Sequence, residues 1–84
     1  MEFDVGRVVI SKAGRDKGYF LAVVGFDAEG VLVCDGRERP LGKPKRKNPK
    51  HLAATSTVLN EKDMAGNQAL RKALRKINVS NQGG

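Results

Sequence analysis

Three short apolar runs, Val8-Val9-Ile10, Tyr19 to Phe26 and Val31-Leu32-Val33-Cys34, fall within about thirty residues, separated by polar, glycine-bearing segments. Valine and isoleucine dominate their centres, and none is as long as an ordinary helix, so each reads as a strand. The chain is thereby committed to a β-meander, whose edges must be closed or covered. Asp27-Ala28-Glu29-Gly30 reads as the second turn, with Gly30 in a left-handed position, and Asp35-Gly36 as a hairpin dipeptide after the third strand. Arg37 to Leu41 is expected to pair back as a short fourth strand, with Leu41 its core candidate.

Pro44 and Pro49 then bar a central strand, so GKPKRKNPK is expected to be an exposed loop or an edge. Leu52, Ala54 and Val58, spaced among Thr55, Ser56 and Thr57, suggest a last strand ending near Leu59. Asn60 and Asp63 have the spacing of a capping box, although Gly66 weakens a helix running through it, and Asn67 offers a second start. From Gln68 on, Leu70, Ala73, Leu74 and Ile77 recur at helical spacing, with Arg71, Lys72, Arg75 and Lys76 on the other side. An 84-residue chain supports one core. The expected organisation is a small barrel over residues 1–59, a helical segment over 60–79 and a frayed tail over 80–84.

Charge is the one bulk property far from average. Sixteen Lys and Arg face nine Asp and Glu, for a net charge of +7, and a polyanion is the natural partner. The excess is concentrated: Gly36 to Leu52 holds seven cations and one anion, whereas residues 1–35 hold four cations and six anions. Cys34 is the only cysteine, which rules out an intrachain disulfide and suits a reducing, cytoplasmic setting; it reads as a small core residue. The longest apolar run is well short of a membrane span, and no signal-peptide pattern opens the chain.

The residues do not compose an enzyme. His51, the one histidine, stands in the basic segment with no acidic residue near it in sequence, so no nucleophile, base and orienting group can be assembled. One histidine and one cysteine cannot complete a zinc site, and Gly14-Arg-Asp-Lys-Gly18 lacks the Gly-Lys-Ser/Thr element of a phosphate loop. No catalytic residue, metal, cofactor or small-molecule substrate is expected.

Two basic segments remain. A hairpin needs two turn residues, yet KAGRDKG, Lys12 to Gly18, spends seven. It reads either as a long solvated connection or as a phosphate-binding loop in which Gly14 and Gly18 let the backbone approach a phosphate among Lys12, Arg15 and Lys17. KPKRKNPK reads either as a solvated or nuclear-type basic run, or as an RNA contact, because unpaired like charges repel unless a polyanion is present. The RNA reading takes in Arg37, Arg39, Lys43, Lys45, Arg46, Lys47, Lys50 and His51, with Arg71, Lys72, Arg75 and Lys76 on the helix as a second group. Tyr19 and Phe20 could offer a ring to an unstacked base, but at least one of them is expected in the core. With four aromatics in all, recognition of folded RNA through backbone and shape is favoured over threading of single strands.

SKAGRDKG, VLVCDGRERPL and KPKRKNPKHL, in that order, resemble the KOW motif in the branch found in large-subunit ribosomal proteins of archaeal and eukaryotic type and in small bacterial RNA-binding proteins related to them. The resemblance runs from Gly6 to Leu52. It implies an SH3-like β-barrel whose first hairpin loop contacts ribosomal RNA, with Gly14 as the motif glycine and Lys12, Arg15 and Lys17 as its RNA-facing neighbours. The commoner KOW pattern has a further glycine where this chain has Leu21, which sets it apart from the transcription-elongation and bacterial ribosomal branches. The expected function is therefore non-catalytic binding of large-subunit ribosomal RNA, alone or beside ribosomal proteins. The alternatives are an SH3-like module that binds proteins and a transcription-associated nucleic-acid binder.

Overall fold

A computed structural model describes residues 3–82, with side chains through Ile77. Five strands form one antiparallel sheet: β1 Arg7–Ser11, β2 Phe20–Asp27, β3 Gly30–Cys34, β4 Lys45–Lys47 and β5 Leu52–Val58. A 3-10 turn, Pro49–His51, leads from β4 to β5, and a single helix, α1 Asn67–Gln82, follows. The order across the sheet is β4-β3-β2-β1-β5. The first three strands are the expected meander, and KPKRKNPK supplies the expected edge strand. The expected barrel is corrected to an open sheet: β4 and β5 are its two edges, and no ladder joins them among the described residues. Register shifts between Arg7 and Val9 on β1, and between Val23 and Gly25 on β2, mark the places where the sheet bends.

Strand alternation sends successive side chains to opposite faces, and both faces are covered, which is why β2 reads as an unbroken apolar run. Val9, Leu21, Val23, Val31 and Val33 meet Phe3 and Leu52 on the concave side. Val8, Ala22 and Cys34 meet Leu70 and Leu74 of α1 on the other, with Phe20, Leu41, Leu59, Met64 and Ile77 packed around them. Arg71, Lys72, Arg75 and Lys76 stay exposed, as the helical spacing predicts. Burial, with a smaller contribution from the charge of Asp35, pushes the Cys34 thiol up to about 11, so it remains a protonated core side chain.

Three expectations are corrected. Arg37 to Leu41 is no strand, because its backbone is committed elsewhere. Asp35 Oδ1 accepts from the amides of Arg37 (2.8 Å) and Arg39 (2.9 Å), the Arg39 carbonyl accepts from those of Asp35 and Gly36, and the Leu41 amide donates to Asn67 Oδ1 at 2.7 Å. Of the two starts that the spacing offers, the helix takes Asn67. Asn60 and Asp63 do close a reciprocal cap, with the Asp63 amide 2.9 Å from Asn60 Oδ1, but it holds only a turn before Gly66. The helical backbone then runs through Gln82, past the expected fraying point at Ser80; Gly83 and Gly84 lie outside the described residues. Gly30, finally, has no positive φ. It is needed for close approach, since a Cβ there would stand 2.7 Å from the Lys47 carbonyl oxygen.

Leu70 is completely buried between helix and sheet. Leu70→Ala should cost about 3 kcal/mol, as large-to-small changes in a core do, and should lower the melting temperature by well over 10 °C on a scale of roughly 4–8 °C per kcal/mol for a domain this small. Thermal denaturation followed by circular dichroism checks it.

Candidate nucleic-acid interface

The β1–β2 loop is built around a lysine from the far edge of the sheet. Lys47 on β4 is only 7% exposed. Its ammonium donates to Asp16 Oδ1 at 2.6 Å, Ser11 Oγ at 2.8 Å and the Ala13 carbonyl at 2.9 Å, so each of its three protons has an acceptor. Ser11 Oγ also lies 2.8 Å from Asp16 Oδ1 and 2.9 Å from the Ala13 carbonyl, and its single proton serves one of the two. β4 lies three places from β1 across the sheet, and the Lys47 side chain closes that gap on the concave face. Lys47, which the RNA reading takes as a phosphate ligand, is thus turned inward and engaged within the protein. Register places it opposite Val31, on the inward face, where a charge is tolerable only with its hydrogen bonds complete.

The rest of the loop is held by its backbone. The Lys17 amide donates to the Gly14 carbonyl (3.2 Å), that of Tyr19 to Asp16 (2.9 Å), and that of Gly18 to Ser11 (2.8 Å). The Lys12 amide reaches the His51 carbonyl at 2.7 Å, tying the loop to the 3-10 turn. Gly14 and Gly18 both have φ of 88°, which a side chain would strain, although there is room for a Cβ at either. Burial pushes the Asp16 carboxyl up, but the hydrogen bonds from Lys47 and Ser11 and the nearby charges of Lys47 and Lys45 outweigh it, and the group titrates below its ordinary value of 3.8.

The basic run is the part of the surface least free to bind. Lys45 Nζ stands 4.0 Å from Asp16 Oδ2. Arg46 places Nε and Nη2 on Asp27 Oδ2, at 2.7 and 2.6 Å, and Nη1 3.3 Å from Glu29. The Arg46 hydrogen bond, followed by the amides of Glu29 and Gly30, holds the Asp27 carboxyl below the usual range. Lys43, Lys50 and His51 are exposed.

The cations without an ion pair are more widely placed: among the described residues, no carboxylate lies within 4.0 Å of Lys12, Arg15, Lys17, Arg37, Arg39, Lys43, Lys50, Arg71, Lys72, Arg75 or Lys76. Four of these converge. Lys17 of the first loop, Arg37 of the β3–β4 connection and Arg71 and Arg75 of α1 line one groove of about 600 Å³, with Phe20 and Leu74 on its walls and Asp35 and Glu38 as its carboxylates. Tyr19, 54% exposed, lines this groove and a smaller neighbour of about 290 Å³ that holds Arg15, Arg39 and Lys45. Lys12, Lys43, Lys50, His51, Lys72 and Lys76 line neither. Among the described residues, no group of three or more His, Cys, Asp or Glu stands close enough to hold a metal ion.

Sequence reasoning found these cations but missed which of them are spent internally. The signal lay in Asp16, the one anion inside a loop of cations, and in Ser11, a polar residue at an inward-facing position of a strand.

Lys47→Ala should cost about 3 kcal/mol, because it strands the Asp16 carboxylate, and the loss in Lys47→Ala/Asp16→Asn should be smaller than the sum of the single losses. A depressed folded-state value means that the Asp16 contribution is present above 3.8 and is lost as pH falls through the folded value. Urea unfolding of Asp16→Asn should therefore show a deficit at pH 7 that shrinks as the pH is lowered below 3.8. Compared with known proteins, the chain matches no family model and no curated protein.

Proposed function

We propose that the chain is a non-catalytic RNA-binding protein of KOW type, acting on ribosomal RNA of the large subunit. The carrying observation is the groove in which Lys17, Arg37, Arg71 and Arg75, from three separate elements, meet with no carboxylate of the described residues within 4.0 Å. Cations without partners repel one another, and a surface that gathers them is stabilised by a polyanion. An SH3-like arrangement is in keeping with the strand order and with the 3-10 turn that carries the chain from one edge strand to the other. On that arrangement the loop of the KOW resemblance contributes Lys17 and Gly18 to the wall of the groove.

A protein-binding module would need its exposed aromatics clustered. The two that are exposed, Tyr19 and Phe26, stand at opposite ends of β2, and Phe26 does not line the groove that Tyr19 lines. Phosphate contact alone does not separate RNA from DNA, so the choice of RNA rests on the KOW resemblance and is open to a direct test.

With about four phosphates neutralised, the logarithm of affinity for large-subunit ribosomal RNA should fall against the logarithm of salt with a slope of roughly −3. Arg37→Ala/Arg75→Ala should flatten it by about two units, whereas removing Arg46, already paired, should change it by much less. Co-sedimentation with ribosomal subunits over a range of salt, with duplex DNA as competitor, measures both. Absence of binding at low salt, or preference for the DNA, would overturn the reading.

A further inference from the structure

Tyr19 is where a polar loop becomes an apolar strand, and its ring is left in the open while its neighbour Phe20 packs toward α1. Its backbone is fixed on both sides: the amide donates to the Asp16 carbonyl at 2.9 Å, and the carbonyl accepts from Ser11 at 3.0 Å. Asp16 and Ser11 are the two side chains held by Lys47. The ring therefore stands on a rigid base between two grooves. On the larger side it lines a space of about 600 Å³ together with the apolar side chain of Leu74 and with Lys17, Arg37, Arg71 and Arg75. A volume of this size is within the range of roughly 300–1,000 Å³ that small molecules occupy.

Two carboxylates decide what can fill it. Asp35 and Glu38 line the groove beside Tyr19. A phosphate at that point would be repelled by both, but a nucleobase is neutral and brings amino donors that a carboxylate can accept. The same groove thus offers cations, carboxylates and an exposed aromatic ring. That is the set a nucleotide requires, with its phosphates on the cations and its base against an aromatic face.

We propose that Tyr19 is a stacking platform for a single unpaired base of the bound RNA, accommodated in the groove between the Lys12–Gly18 loop and α1, with the flanking phosphates on Lys17, Arg71 and Arg75. This rests on the RNA reading above and narrows it. The substrate is a helical RNA interrupted by a bulge or loop nucleotide, recognised by the base as well as by the backbone.

The test uses the full chain and two RNA duplexes of equal length, one continuous and one carrying a single bulged 2-aminopurine. Wild-type protein should bind the bulged duplex about tenfold more tightly, on the strength of one base–aromatic stack, and should quench the 2-aminopurine emission. Tyr19→Ala should lose both the preference and the quenching while still binding the continuous duplex with wild-type salt dependence; Tyr19→Phe should keep both. Thermal denaturation of each variant confirms folding, and the wild-type quenching needs no variant. Equal wild-type affinity for the two duplexes without quenching, or a folded Tyr19→Ala that retains the preference, would overturn the stacking proposal and leave RNA binding intact. Failure of the wild-type protein to bind either duplex at low salt would overturn both.

Discussion

The ammonium of Lys47 is the contact on which the rest of the surface depends. It comes from an edge strand of three residues, crosses the concave face of the sheet and ends among acceptors of β1 and the β1–β2 loop. Desolvating a lysine and an aspartate is expensive, and such a pair contributes little net stability compared with apolar residues of the same size. Its value lies in direction. Three donors on three acceptors admit one arrangement of Ser11, Ala13 and Asp16, and the turns that place Arg15, Lys17 and Tyr19 are built on those residues. An apolar side chain at position 47 would fill the space and leave the loop without a fixed shape.

The net charge of +7 therefore overstates some parts of the surface and understates others. In KPKRK the middle residues are consumed by Asp16, Asp27 and Glu29, so the densest run of positive charge in the sequence acts largely as internal structure. Lysines on an edge strand also discourage pairing with another chain. Among the cations that stay unengaged, those at positions 17, 37, 71 and 75 are dispersed through the sequence, and folding gathers them.

How much of this was legible follows from the range of each interaction. Strands β1 to β3 and the amphipathic helix are local patterns of period two and 3.6, so Val8 to Ile10, Tyr19 to Cys34 and Leu70 to Ile77 announce themselves. Prolines at 44 and 49 correctly exclude a central strand. The fourth strand expected at Arg37–Leu41 does not form because hydrogen bonds to Asp35 and Asn67 displace a ladder, and the Leu41 amide's partner Asn67 is 26 residues away. The pairing of Lys47 with Asp16 spans 31 residues and depends on the bend of the sheet, for which the sequence carries no periodic signal. Composition shows that a chain is basic, but which cations are free is a property of the fold.

The helix shows why core and groove cannot be separated here. Leu70 and Leu74 are buried against Val8, Ala22 and Cys34, while Arg71 and Arg75 immediately follow them in sequence and, a turn apart, stand on the groove. The residues that fasten α1 to the sheet thus fix the register of the cations beside them. Asn67, at the first turn, carries the same coupling to the third wall: its side chain caps the Leu41 amide at the end of the loop that presents Arg37 and Arg39. One wall is positioned by Lys47, one by Leu70 and Leu74, and one by Asp35 with Asn67. The backbone that carries the groove is therefore fixed by the core beneath it, and on the proposed reading an RNA that matched its shape would bind without the entropy cost of ordering a basic tail.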